Sequence, residues 1–246
     1  MNKKSITKTT LISTLFLFSL SFLSPALFSQ EQEVKPVTVG QPMPDVTFTT
    51  LQGEAITLSK LKGKNVLLIL PRGFAAEGRW CTIDNYKYAD LVDIEKKEQI
   101  SKKYNVEILW VLPYSKEVIQ QWVDSNPDQL AKIKDWKYPA EPDKQADKDR
   151  QWTTTARTAF PKDLSMKKGE VPMPFPIVFD AEGKLSKGLG VFNAEWGGSK
   201  VDQNMASEFI IDKDGIVQFK YIGQNTWDRP SYEFLWKVLG WINTCK

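Results

Sequence analysis

Histidine is absent from the 246 residues. That excludes Ser-His-Asp and Cys-His catalysis and histidine-held zinc or haem. Cysteine is almost absent: Cys81 and Cys245 are the only two, too few to hold an iron–sulfur cluster. An enzyme made from this inventory works through Cys81, through carboxylates or through a bound cofactor. No cofactor motif and no metal-ligand set is found, and none is expected. An excess of one charge is also lacking. Lysine and arginine number 33 against 30 acids, but Lys3, Lys4 and Lys8 fall in the first 29 residues, which contain no acid, and the remainder balances at 30 of each. There is no electrostatic case for binding nucleic acid, and no such partner is expected.

The apolar run LISTLFLFSLSFL is short and serine-rich for a membrane span. Preceded by three lysines and followed by SPALFSQ, it has the layout of a secretory signal. Cleavage is expected after Ala26 or Ser29, with an uncleaved anchor as the alternative, and no cysteine follows the run to accept a lipid. The protein is therefore expected to be exported, to a periplasm or outside the cell. In such an oxidising compartment Cys81 and Cys245 are also candidates for a simple disulfide. The domain map is a signal peptide over 1–29, a polar, proline-containing linker over 30–38, and one domain over 39–246. About 215 residues are enough for a single well-filled core, and nine Trp and thirteen Phe supply its bulk.

Within that domain, VTFTTLQGEAITL alternates around a Gln-Gly turn and predicts a β-hairpin. KLKGKNVLLIL gives a turn and a continuous apolar run, the mark of a strand buried on both faces. After Cys81, apolar residues at helical intervals predict a helix ending near Tyr104. VEILWVLP is a second buried strand, and SKEVIQQWVDS a second helix with Ser115 as its N-cap. Residues 126–170 turn charged and are read as an insertion, partly helical, on the surface: a solvated decoration in the first instance, with a lid or partner surface as alternatives. PMPFPIVFD is a third strand. DKDG joins SEFIID to IVQFKYI as a hairpin; its acids lack the later ligands of a calcium loop. DRPSYEFLWKVLGWI is a closing helix, with Asp228 at its start, Pro230 in its first turn, and an apolar set that includes Phe234, Trp236 and Trp241.

This order, with Cys81 at the mouth of the first helix, resembles the thioredoxin fold in its peroxiredoxin form, the AhpC/TSA or redoxin family. Four stretches carry the resemblance: VGQPMPDVTFTTLQGEAITLSKLKGKNVLLIL, the loop PRGFAAEGRWCTID, VEILWVLPYSKEVIQQW, and SEFIIDKDGIVQFKYIGQNTWDRPSYEFL. The expected fold class is α/β: a thioredoxin-like, peroxiredoxin-type mixed sheet flanked by helices, with an N-terminal hairpin and one inserted surface segment. For a chain whose signal layout already predicts export, the resemblance implies a thiol-dependent redox protein, a peroxidase using a single active-site cysteine, Cys81. Arg229 in DRPS matches the arginine that faces that cysteine, and Arg72 in PRG sits where strand meets loop. The implied partners are a small-molecule peroxide or a protein disulfide, an external thiol reductant, and a second copy of the chain in a homodimer. Cys245 is the candidate resolving thiol, beside an external thiol.

Two positions depart from the family pattern P-x-x-x-[ST]-x-x-C. Phe74 and Gly78 replace its proline and hydroxyl, and Asp84 stands where a C-x-x-C pair would have its second cysteine. A helix N-terminus and the charges of Arg229, Arg72 or Arg79 would lower the thiol pKa, and Asp84 would raise it. A thiol–disulfide oxidoreductase and a non-enzymatic thioredoxin-fold binding module are therefore the alternative functions.

Overall fold

Six consecutive residues, Asn65–Leu70, are buried, so the strand they form must be covered on both faces. The computed structural model describes residues 35–244 and places this strand inside a seven-stranded mixed sheet. The chain enters through the hairpin β1 (Thr47–Thr50) and β2 (Ala55–Thr57). Then come β3 (Asn65–Leu70), a small ribbon of β4 (Phe74–Ala76) and β5 (Arg79–Trp80), helices α1 (Thr82–Glu98) and α2 (Ile100–Lys103), and β6 (Val106–Leu112). Helices α3 (Lys116–Lys137) and α4 (Asp147–Ala159) lead to β7 (Ile177–Phe179), and α5 (Lys184–Gly188) leads to the short pair β8 (Phe192–Asn193) and β9 (Gln203–Asn204). The hairpin β10 (Ser207–Ile211) and β11 (Val217–Ile222) precedes α6 (Tyr232–Thr244). The sheet order is β11-β10-β3-β6-β7-β1-β2. β3, β6 and β7 run parallel, and each hairpin attaches antiparallel to an edge of that trio. This is the mixed α/β sheet with an N-terminal hairpin that the sequence predicts.

Alternation along β3 divides the core. Leu67 and Ile69 join Tyr88 and Leu91 of α1, Ile119 and Trp122 of α3, and Leu235 and Leu239 of α6. Val66, Leu68 and Leu70 face the other way, against Phe209, Leu185, Leu189 and Val191. Val37, in the stretch read as linker, is buried in this second cluster. The expected signal segment over 1–29 lies outside the described residues, as does Cys245.

Three expectations need correction. The first helix breaks at Gln99, whose left-handed backbone (φ 49°, ψ 51°) ends α1 and starts α2; the Glu95 carboxylate accepts the Ser101 N–H (3.0 Å) across the break. α6 starts later than expected, at Tyr232. Ser231 Oγ accepts the Phe234 N–H (3.2 Å), while Asp228 is used elsewhere, by the Tyr221 hydroxyl and the Gln224 N–H. Trp241 and Phe234 of that helix, expected in the core, are 64% and 48% exposed.

The third correction concerns 126–170. The second helix does not end near Ser125 but continues through Pro127 to Lys137. Proline has no N–H for the carbonyl four residues back, here that of Val123. The buried Asn126 amide donates to it instead (3.1 Å), and to Trp122 O (3.1 Å). The prolonged helix then carries Leu130 and Ile133 into a third cluster with Tyr86 and Ala89 of α1 and Ala156 and Phe160 from the second half of the insertion. This segment is packed against α1, not a solvated decoration; Leu130 and Ile133 stand three apart and Ala156 and Phe160 four apart, helical spacings diluted by lysines and aspartates.

The compensating amide has a measurable consequence. Asn126→Ala should lower the unfolding free energy by about 1–3 kcal/mol, the cost of a buried carbonyl without its donor, read as a lower urea midpoint at unchanged slope. In a Pro127→Ala background, which restores the backbone donor, the same change should cost less; equal losses in both backgrounds would reject the account.

Candidate active site

The ribbon β4–β5 turns at Glu77-Gly78, and Gly78 has φ 64°, a backbone that favours glycine. The departure from a hydroxyl residue at this position thus has a local cause. The ribbon delivers Cys81 to the N-cap of α1 (φ −72°, ψ 104°). The Cys81 N–H donates to Gly73 O (2.8 Å), and its carbonyl accepts the Asp84 N–H (3.0 Å). The residue is 3% exposed and is a free thiol.

Arg229 comes from the loop before α6, and its Nη2 lies 3.8 Å from the Cys81 sulfur. Asp84 holds it there: Oδ1 accepts from Arg229 Nη2 (2.8 Å) and Nε (3.1 Å), while Oδ2 accepts the Gly73 N–H (3.0 Å). Arg229 Nη1 donates to Thr226 O (2.8 Å). One carboxylate therefore ties together the loop after β3, the first turn of α1 and the loop before α6. Gly73 adopts φ 80°, and a Cβ there would strike the Tyr114 ring. The Tyr114 hydroxyl accepts the Phe74 N–H (3.0 Å) and donates to Asp202 O (2.9 Å). Trp80 does two jobs: it stacks on Phe74 (3.9 Å between centroids, 10° between planes) and lines the cleft to Cys81.

Arg72 lines the same cleft but is held from the side. Its Nε donates to Gln203 Oε1 (2.6 Å), its Nη2 to Ser199 Oγ (3.0 Å), and its guanidinium lies 5.4 Å from the Trp196 ring centre. The structure thus brings Cys81, Arg229 and Arg72 to one place; Cys245 lies outside the described residues. Among the described residues no group of three acids, cysteines or histidines could hold a metal, and no helix is long and apolar enough to cross a membrane.

The Cys81 thiol is pushed up to about 11, first by burial and then by the Asp84 charge. Arg229, the Asp84 N–H and Arg72 pull the other way and do not prevail. Behind Arg229 sits a residue the sequence reading missed. Glu208 on β10 is buried, pairs with Ile69 in the ladder, and lines a small cavity with Asp84, Lys87, Arg229 and Tyr232. Its Oε2 has no hydrogen-bond partner among the described residues. Burial pushes its pKa up to about 8, against the pull of Arg229 and Lys87. The signal was an acid within the predicted strand SEFIID, which here is internal to the sheet.

Both shifts can be tested. Asp84→Asn keeps an acceptor for the Gly73 N–H and removes the charge that raises the thiol, so the pH midpoint of Cys81 alkylation, followed by peptide mass mapping, should fall by roughly 1 unit or more; an unchanged or higher midpoint would reject the charge effect. For Glu208, the folded protein keeps a proton that the unfolded chain releases near 4.5. The stability linked to it is complete below that pH, declines as pH rises towards about 8, and is level above. Glu208→Gln removes this slope, so the variant should gain on the wild type in urea midpoint between about pH 5 and about pH 8.5. A difference that does not vary with pH would show that Glu208 is ionised in the fold.

Solved structures with a similar fold include a cysteine-to-serine mutant of the peroxiredoxin 6 of Arenicola marina (TM-score 0.52, 12% identity, covering 84% of this chain and 74% of that one). The AhpC of Mycobacterium tuberculosis is similar at TM-score 0.50 and 16% identity, over 85% of this chain and 94% of that one. The AhpC of Mycobacterium bovis gives TM-score 0.50 and 15% identity, over 86% and 95%. No curated protein matches the sequence. The model of the AhpC/TSA family matches residues 39–220, from before β1 into β11, and with that share of its length accounted for the chain belongs to the AhpC/TSA family.

Proposed function

We propose that the protein is a thiol-dependent peroxidase in which Cys81 is the nucleophile and Arg229 the fixed positive charge beside it. The observation that carries this reading is the Arg229 guanidinium, 3.8 Å from the sulfur and held by Asp84. The Cys81 thiolate attacks one peroxide oxygen, the O–O bond breaks, and sulfur keeps that oxygen as a sulfenic acid. The other oxygen leaves with the electron pair and takes a proton, giving water or an alcohol. Negative charge gathers on that oxygen in the transition state, where a guanidinium already in place stabilises it without reorganising. Arg72, buried beside the cleft, adds positive potential.

An external thiol then attacks the sulfenic sulfur, releasing water and forming a mixed disulfide. A second thiol equivalent displaces Cys81 and leaves as the oxidised reductant. Cys245 is the alternative source of the first of these thiols. Asp84, at the position a second active-site cysteine would occupy, is 1% exposed and ion-paired, which argues against a dithiol mechanism. The raised Cys81 pKa favours one other reading, a thioredoxin-fold binding module whose thiol stays inert.

The same assay separates the two. Purified protein with dithiothreitol should consume hydrogen peroxide, and Cys81→Ser should abolish this. Because the thiol titrates near 11, the thiolate fraction and the rate should climb about tenfold per pH unit from about pH 7 to about pH 9. Consumption that survives Cys81→Ser ends the peroxidase reading, and no consumption at any pH supports the binding module.

A further inference from the structure

The cleft that reaches Cys81 has a volume of about 290 Å³, at the lower edge of small-molecule sites, roughly 300–1,000 Å³. One wall is a closed run of aromatic rings. Trp136 meets Trp152 at 5.2 Å between centroids, Trp152 meets Trp227 at 6.1 Å, Trp227 meets Phe160 at 6.0 Å, and Phe160 meets Trp136 at 6.2 Å. Three of the four rings come from the inserted segment, and Trp227, from the loop before Arg229, is 47% exposed. The charges of the cleft are of one sign. Arg72, Arg79 and Lys132 line it, and none of its described lining residues is acidic. Beyond residue 29 the chain as a whole is neutral, so this bias belongs to the cleft.

An aromatic wall can hold a cation over its ring faces or an apolar planar group against them. Here the first use is opposed: three cations at the cleft repel a fourth, and Lys132 Nζ already sits 5.1 Å from the Trp136 ring centre. An uncharged guest would use the rings and leave the cations without a counter-charge. A guest with an aromatic body and a carboxylate satisfies both. Building on the peroxidase reading, we propose that the cleft selects aromatic hydroperoxides that carry a carboxylate, with Trp136, Trp152 and Trp227 taking the ring and Lys132 and Arg79 pairing the carboxylate. At Cys81 the outer hydroperoxide oxygen passes to sulfur, the O–O bond breaks, and the remaining oxygen leaves with the electron pair and gains a proton. The product is the corresponding alcohol with its carboxylate untouched; the external thiol returns the sulfenic acid to thiol.

The test compares cumene hydroperoxide with its para-carboxylate, and both with hydrogen peroxide. The acid should be favoured over the uncharged compound by roughly tenfold in kcat/KM at low salt, and the preference should shrink as salt rises. The double change Lys132→Gln, Arg79→Gln should bring that ratio close to one. Trp152→Ala should lower kcat/KM for both aromatic peroxides relative to hydrogen peroxide. No preference for the acid, or one that survives the double change, overturns the inference. Binding is read separately by tryptophan fluorescence, titrating the wild type and the double variant with the unreactive para-carboxylate of cumyl alcohol and with cumyl alcohol itself. Tighter binding of the acid, lost in the double variant, supports the inference even where no peroxide of any kind is consumed, an outcome that would end only the peroxidase reading. Equal binding of the two alcohols, or none, overturns the inference whatever the peroxidase result.

Discussion

Asp84 has a side chain 1% exposed, and Arg229 one 5% exposed. Removing two such charges from water costs several kcal/mol each, and an ion pair in the interior offsets this only when its remaining donors and acceptors are also satisfied. Here they are: Asp84 takes the Gly73 N–H on its second oxygen, and Arg229 gives a further bond to Thr226 O. The pair therefore requires two loops and the first turn of α1 to be in place at once, and each of these shapes the surroundings of Cys81. If one carboxylate oxygen lost its partners, a buried charge would be left uncompensated, so loop placement and site geometry are coupled through this contact.

The same pair explains why the thiol is not activated in the way its position suggests. A helix N-terminus and a neighbouring guanidinium both favour a thiolate, but most of the guanidinium's charge is answered by Asp84. What remains does not offset burial, and Cys81 stays protonated at neutral pH. Glu208 adds a second acid behind Arg229, itself held largely neutral by burial. The site thus contains one guanidinium placed among a thiol and two carboxyls, and its working charge depends on which of those hold protons.

Much of this arrangement was legible in the chain. The apolar run Val66–Leu70 reads as a strand covered on both sides because no position in it is spared for water, and Cys81 stands out because the chain has one other cysteine and no histidine. DRPS points to Arg229 through family likeness, and Asp84, three residues after the thiol, reads as a charge able to oppose the thiolate. The insertion was not legible. Its apolar residues are outnumbered by lysine and aspartate, Pro127 reads as a helix stop, and the one side chain that lets the helix pass, Asn126, acts through a hydrogen bond that periodicity cannot show. Glu208 was likewise hidden, because an acid in a strand reads as facing water until the strand is known to lie inside the sheet.

The class of the molecule, a strand–helix–strand sheet with a rare cysteine at a helix mouth, is written in the chain, because alternation, turn residues and the scarcity of thiols are local properties. The character of the site comes from the folded arrangement. Whether Asp84 faces the thiol alone or paired, whether Trp136, Trp152 and Phe160 meet water or one another, and whether three cations gather at one cleft all depend on contacts between residues far apart in the chain. For PRGFAAEGRWCTID the chain marked the place, and the fold supplied the charge balance and walls that decide its chemistry.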